Sequence, residues 1–416
     1  MYHDRLLSAL GTLLLTAIFS GCVSPIAAPS PGQSAAAATK APSTEAPAAE
    51  APATLDADTV ARIDDMVRQE LIEQPAPGLQ MCIVKDGALV YSKGFGMADV
   101  ENSQPMTPQS VLRQMSLSKP ITAMAVMQLV EQGQVALAAT VTPYLPDFQT
   151  SDKRSAEITV RMLLNHSSGL PGESSLMETP NPDVDPLIET MRGFRFVTLQ
   201  ATPGTEWHYS NDAYSLLGAI VQTVSGESFA AYMQQNWFTP LGMAHSTFVA
   251  EEVNPALLAR GYAANDLGVV APQPGGSDDR YAPGRGLWSS CEDMATLAQM
   301  MSAGGEFAGT RLLQPESIES MWEGALETGD LDAVGEWYGA PFANYGSGWD
   351  VGVKDGHPLV GHGGGGSGYN SRLIYAPADD LAVFVGANRK DPGGTLRDLA
   401  GDLSTDTIYM LLGIEP

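Results

Sequence analysis

The hydrophobic pattern along the chain changes period several times, and each change marks a predicted element. Val60, Ile63, Met66, Val67 and Leu71 recur at helical spacing and stop before Pro75, which predicts a helix near the start of the patterned region. Apolar runs at 79–84 and 88–91 flank Lys85-Asp86-Gly87, the signature of a β-hairpin. Towards the other end, 373–375 and 381–385 flank the turn Ala376-Pro377-Ala378-Asp379-Asp380, and Leu396, Leu399 and Leu403 share one face of a final helix. The middle is helical in pattern: Ile121, Met124, Met127, Leu129 and Val130 close near Gly133, and 214–218 begins another helix. Strands at both ends around such a middle predict an α/β (α+β) domain. Its antiparallel sheet is built from both termini and flanked by helices, with a mostly helical region inserted.

The first 57 residues follow neither period. Arg5 precedes a largely apolar run at 6–19, too short for a comfortable membrane span and suited to the core of a signal peptide. It ends in Phe19-Ser20-Gly21-Cys22, which resembles a lipobox, with Phe19 in place of the usual leucine. Residues 1–22 are therefore read as a lipoprotein-type signal peptide, with Cys22 as the lipidation site. Residues 23–57 are rich in Ala, Pro, Ser and Thr and lack aromatic residues, so they cannot offset the entropy of ordering; they form a linker. Residues 58–416 form the folded domain. The implied location is the bacterial cell envelope, with the membrane as a partner through the lipid anchor.

Composition narrows the class. Of 416 residues, 48 are acidic and 22 basic, a formal net charge of −26, which disfavours nucleic acid because phosphate binding needs a concentrated basic surface. After Cys22 only Cys82 and Cys291 remain, and their spacing matches no disulfide framework or zinc pattern. Cys82 lies in an apolar run and Cys291 at a helix start, so both are read foremost as unpaired core thiols, with a disulfide in an oxidising compartment as the alternative. The chain has no His-Glu-x-x-His and no Cys-x-x-Cys, and neither a metal nor a cofactor is expected.

The chemistry concentrates in Arg113-Gln114-Met115-Ser116-Leu117-Ser118-Lys119-Pro120. Pro120 is tolerated only in a first turn, which puts Ser116 and Lys119 at a helix start and on one face. A serine hydroxyl becomes a good nucleophile when a neighbouring base takes its proton, and a lysine serves once burial or nearby positive charge makes it neutral. Ser118 is the rival hydroxyl, but no lysine follows it three residues later, so it is assigned a supporting hydrogen bond. Two further elements accompany the pair: Tyr209-Ser210-Asn211 before a helix, and His362-Gly363-Gly364-Gly365-Gly366, whose glycines let a substrate backbone approach closely.

Ser-x-x-Lys, Tyr-x-Asn and His-x-Gly in this order resemble the serine β-lactamase-related family, which includes class C β-lactamases, D-alanyl-D-alanine carboxypeptidases and a set of esterases. The resemblance runs from about Gly78 to Lys390 and includes Leu164-Asn165-His166-Ser167-Ser168-Gly169-Leu170-Pro171, Pro240-Leu241-Gly242-Met243 and Gly286-Leu287-Trp288-Ser289-Ser290. It implies a β-lactamase/transpeptidase-like fold and a serine hydrolase working through an acyl-enzyme on Ser116. Lys119 and Tyr209 would share proton transfer, with the base of each step left open, and Asn211 would orient Lys119 or the substrate amide. The amides of Ser116 and Gly365 would form the oxyanion hole, although the glycine run also allows a one-residue shift to Gly364. His166 is read as structural, at a helix end, and His208 as a candidate for lining the site.

The sequence departs from the family at the third motif. Class C β-lactamases carry lysine where this chain has His362, and threonine is common where it has Gly363. A histidine is only partly charged near neutral pH. The expected substrate is accordingly a small molecule or peptide, foremost a D-amino-acid peptide or ester. A class C-like β-lactamase is the second reading, and a catalytically silent envelope lipoprotein that binds peptidoglycan peptides the third. Specificity is expected in the loops at 173–193 and 265–286.

Overall fold

The computed structural model describes residues 54–174, 184–264, 270–272, 279–324, 342–390 and 398–415. The signal peptide, Cys22, nearly all of the linker, Leu396 and parts of both specificity loops lie outside the described residues.

Helix α1, Ala57–Glu73, is capped by Asp56, whose side chain accepts from the amide of Thr59, and it buries Ile63 and Val67. The hairpin forms as predicted between β1, Gly78–Lys85, and β2, Ala88–Asp99, although β2 runs further than its apolar core suggests. Asp86 and Gly87 supply the positive φ angles of its turn. After β3, Gln104–Pro105, the chain leaves the sheet. It returns in β4, Phe342–Tyr345, β5, Asp350–Lys354, β6, His357–Gly366, β7, Tyr369–Ala376, and β8, Leu381–Ala387.

The eight strands are ordered β4-β5-β6-β7-β8-β1-β2-β3 and pair antiparallel, so the two ends of the domain meet where β8 joins β1, in register from Leu79↔Ala387 to Lys85↔Leu381. A strand in mid-sheet must be apolar on both faces. Accordingly, β1 sends Leu79, Met81 and Ile83 into one core with α1 and the final helix α5, Leu399–Leu412. Cys82 and Val84 enter a larger core on the other face.

That larger core belongs to the inserted region: α2, Ser118–Glu131, α3, Asn211–Ser225, and α4, Cys291–Ser302. Only Gln128, Val130 and Glu131 of α2 are not fully buried, so this helix is wrapped on all sides. The expectation of two unpaired thiols is wrong. Cys82 on β1 and Cys291 at the start of α4 form a disulfide, with Cα atoms 5.8 Å apart. Their 209-residue separation hid the pairing, because the path of the inserted region alone lays α4 on β1.

Candidate functional site

The chain reaches Ser116 through a firmly held approach. Leu112–Arg113 pairs with Trp288–Ser289, the Gln114 amide donates to the Leu287 carbonyl at 2.7 Å, and the Gln114 side chain donates to the carbonyl of Ser289 at 2.8 Å. Met115 then takes a φ of +50°, a left-handed conformation that a non-glycine residue holds only where its surroundings enforce it. Ser116 follows in a tight 3-10 turn, Met115–Leu117, immediately before α2. Ser118 has the supporting role assigned to it. Its hydroxyl donates to the Met115 carbonyl at 2.6 Å and accepts from the Leu287 amide at 3.0 Å.

Lys119, in the first turn of α2, has no solvent exposure. Its Nζ lies 3.4 Å from Ser116 Oγ, 2.6 Å from Asn211 Oδ1 and 2.9 Å from the Gly284 carbonyl oxygen. It also sits 4.5 Å from the centre of the Tyr209 ring. Burial, and then the charge of Arg285, drive the amine well below the usual lysine range; Glu173 opposes them. The Tyr209 ring favours the ammonium by about 1–2 kcal/mol. Desolvating an ion costs several kcal/mol, so burial outweighs the ring and favours the neutral amine.

Tyr209 and Asn211 are brought to this point by the start of α3. Ser210 is its N-cap, accepting from the Ala213 amide at 3.0 Å and donating to the Pro171 carbonyl at 2.6 Å, and Asn211 is the first helical residue. His166 secures the approach: its Nδ1 accepts from the Ser210 amide at 3.1 Å, and its ring packs 4.5 Å from Tyr209 and 4.8 Å from Tyr345. It is wholly buried, and burial keeps it neutral, which fits the structural role read from the sequence. His208 instead pairs with Glu206 at 3.0 Å.

The glycine strand closes the site. β5 pairs with β6 only as far as Gly361, so from His362 to Gly366 the described pairing of β6 is with β7 alone, and its other edge is left towards the Ser116 turn. At Gly364 a Cβ would lie 2.1 Å from the Gln114 carbonyl oxygen and 3.0 Å from the Ser116 amide nitrogen, so only glycine allows this approach of two backbones. Gly363, Gly364 and Gly365 all line a cavity of about 380 Å³ that also contains Ser116, Tyr209 and Asn211.

His362 differs from expectation. It is wholly buried, with Nδ1 2.6 Å from the Gly363 carbonyl oxygen and Nε2 3.0 Å from the Tyr345 hydroxyl. Burial pushes it well below the usual histidine range, so it is neutral rather than partly charged and braces the strand from behind.

Five charged residues in the cavity were not singled out from the sequence: Glu173, Arg285, Arg372, Lys390 and Asp398. Glu173 and Arg285 fall in the two loops expected to carry specificity and form an ion pair. Arg372, on β7, is buried against Asp350 at 3.1 Å; burial pushes the Asp350 carboxyl up to about 7 while Arg372 pulls against it. Nothing in a linear reading marks Arg372, Lys390 or Asp398, because only the packed fold brings them to the cavity: Arg372 by strand register and Lys390 with its side chain against Gly365.

Comparison with known proteins places this geometry in context. The Beta-lactamase family model matches residues 63–404. Protein flp of Staphylococcus aureus (strain MW2) is 27% identical over 336 residues, covering 80% of this chain and 64% of the relative; the chain thus spans slightly under two thirds of that relative's length. Esterase EstB of Burkholderia gladioli is 30% identical over 292 residues, covering 61% of this chain and 73% of that protein. Among solved structures, the octameric penicillin-binding protein homologue from Pyrococcus abyssi superposes with a TM-score of 0.70 at 29% identity, covering 86% of this chain and 78% of that one. The fold is also that of EstCE1, described as a hydrolase with promiscuous acyltransferase activity, at a TM-score of 0.71, 22% identity and coverage of 85% and 99%. With a matching family model over most of its length and an antiparallel sheet flanked by helices, the chain belongs to the Beta-lactamase family.

Proposed function

We propose that this protein is a serine hydrolase that cleaves an ester or amide through an acyl-enzyme on Ser116. The observation that carries this reading is the set of partners around Lys119. A neutral amine has two N–H donors and one lone pair. Two carbonyl oxygens, those of Asn211 and Gly284, take the donors, and the third neighbour is the Ser116 hydroxyl. That leaves the lone pair for the serine proton. The 3.4 Å separation is long, as is common before substrate tightens such a contact.

Ser116 Oγ attacks the carbonyl carbon and its proton passes to Lys119. The carbonyl oxygen becomes an oxyanion facing the amides of Ser116 and Gly365. Collapse of the intermediate breaks the bond to the leaving group, which takes a proton from Lys119 or Tyr209. Water then attacks the acyl carbon, giving its proton back through the same pair and releasing the acid.

A D-amino-acid peptide or ester is the foremost substrate, with simple esters supported by the similarity to an esterase. The buried, neutral His362 offers no fixed charge to a substrate carboxylate, which disfavours efficient β-lactam turnover. The Cys82–Cys291 disulfide suits an oxidising compartment and supports export, with a lipid anchor at Cys22 as the accompanying proposal.

The test is labelling with a fluorophosphonate and with a fluorescent penicillin, followed by mapping of the modified peptide and assay on nitrophenyl esters. An adduct on Ser116 that disappears in Ser116→Ala, together with ester turnover, is the expected result. Turnover that survives Ser116→Ala would refute it.

A further inference from the structure

The segment that follows Pro171 does more than border the cavity. The Gly172 carbonyl accepts the Asn211 amide at 2.7 Å, and Glu173 Oε1 accepts from Asn211 Nδ2 at 2.8 Å. The same Glu173 oxygen accepts from the Arg285 guanidinium. Arg285 lies 4.5 Å over the Tyr281 ring, and the Tyr281 hydroxyl donates to the Ser174 carbonyl at 3.0 Å, so the two loops are tied at successive residues.

The consequence reaches Lys119 through Asn211. A carboxylate only accepts hydrogen bonds, so Glu173 requires the NH2 end of Asn211 to face it. The amide oxygen is then turned to the other side, where it accepts from Lys119 Nζ at 2.6 Å. A flipped Asn211 would set two donors against each other at Lys119 and two acceptors against each other at Glu173.

We propose that Glu173 and Arg285 are positioning residues, a charge-paired clamp that holds Asn211 in the orientation Lys119 requires. This rests on the reading of Lys119 as the base that serves Ser116.

The groups facing Lys119 show why these two matter. Tyr209 and Tyr214 present ring faces to Nζ at 4.5 and 5.4 Å. His166 and His362 are buried and neutral. Arg285 and Glu173 are the charged groups acting on the amine, and they act in opposite directions, Arg285 favouring the neutral form and Glu173 the ammonium. The pair lets the cation sit near the base without standing alone in the cavity wall.

The experiment is the pH profile of kcat/KM for a nitrophenyl ester in the full chain, comparing Glu173→Gln, Arg285→Met, Arg285→Lys and the double variant Glu173→Gln/Arg285→Met. Loss of the Arg285 charge moves the acid limb to higher pH by about half to one unit, and loss of the Glu173 charge moves it to lower pH by a similar amount. The double variant lies near the parent, and so does Arg285→Lys, which keeps the charge. Opposite displacements are a readout that general loosening of the loops does not produce. Profiles that superimpose on the parent, or that move in the same direction, overturn the clamp. Ser116→Ala in the same assay separates the two readings: if it abolishes turnover while the limbs do not move, the clamp alone fails, and if turnover persists, the hydrolase reading fails and takes the clamp with it.

Discussion

Two buried cationic side chains lie near the glycine strand, and the fold treats them in opposite ways. Lys119 is enclosed beneath Ser116, where carbonyl oxygens and a hydroxyl are its contacts, and burial favours its neutral form. Arg372 projects from β7 and is 5% exposed, but it is buried against the Asp350 carboxylate. A guanidinium does not give up its proton in a protein, so it must be paired; an amine can shed its charge instead. The difference teaches that burial makes a base where the partners are neutral dipoles, and a fixed charge where the partner is a carboxylate.

The strongest way to break the comparison is to make the first site like the second. Lys119→Arg puts a permanent cation beside Ser116, and kcat on a nitrophenyl ester should fall by about 10³-fold or more. A variant that keeps a tenth of the parent rate would show that the lone pair of Lys119 is not needed. The reverse change is Asp350→Ala, which leaves Arg372 buried without its carboxylate and should cost about 3 kcal/mol, read from the urea midpoint. An unchanged midpoint would mean that the pair is not what tolerates Arg372 in the wall.

A smaller effect follows from pH. The folded-state value of Asp350 is raised to about 7, so between its unfolded value and about 7 the folded protein binds more protons than the unfolded chain. Its contribution therefore declines as pH rises through that window and is level above it. The stability gap between the parent and Asp350→Asn should be wider at pH 5 than at pH 8, and a gap that widens with pH would contradict the direction of the shift. The smallest effect belongs to Ser118→Ala, which removes one bond on each side of the Ser116 turn, to Met115 and to Leu287. Roughly 1–2 kcal/mol of stability should be lost, with a few-fold drop in kcat if the turn loosens.

Much of the Lys119 side was legible because its determinants are local. Ser116, Lys119 and Pro120 lie within five residues, and Tyr209-Ser210-Asn211 writes out a helix start with its cap. One detail differs: Ser116 lies in a 3-10 turn that leads into α2 rather than in the first turn of α2 itself. The Arg372 side was not legible. Arg372 meets Gly363 by strand register, and Asp350, paired with Gly361 two residues away, is met there by the Arg372 side chain.

The amino-acid sequence by itself determined the two-ended sheet, the helical insertion and the serine–lysine pair, since each depends on periodicity or spacing within one turn or strand, and the family resemblance joined Tyr209 and Asn211 to that pair. Tertiary structure alone decided that Cys82 and Cys291 are joined, that His362 is buried and neutral, and that Glu173 and Arg285 converge on Asn211. The physical reason is the same in each case. A side chain's charge and partners depend on how much water the packed fold leaves around it, and segments up to 209 residues apart jointly exclude that water.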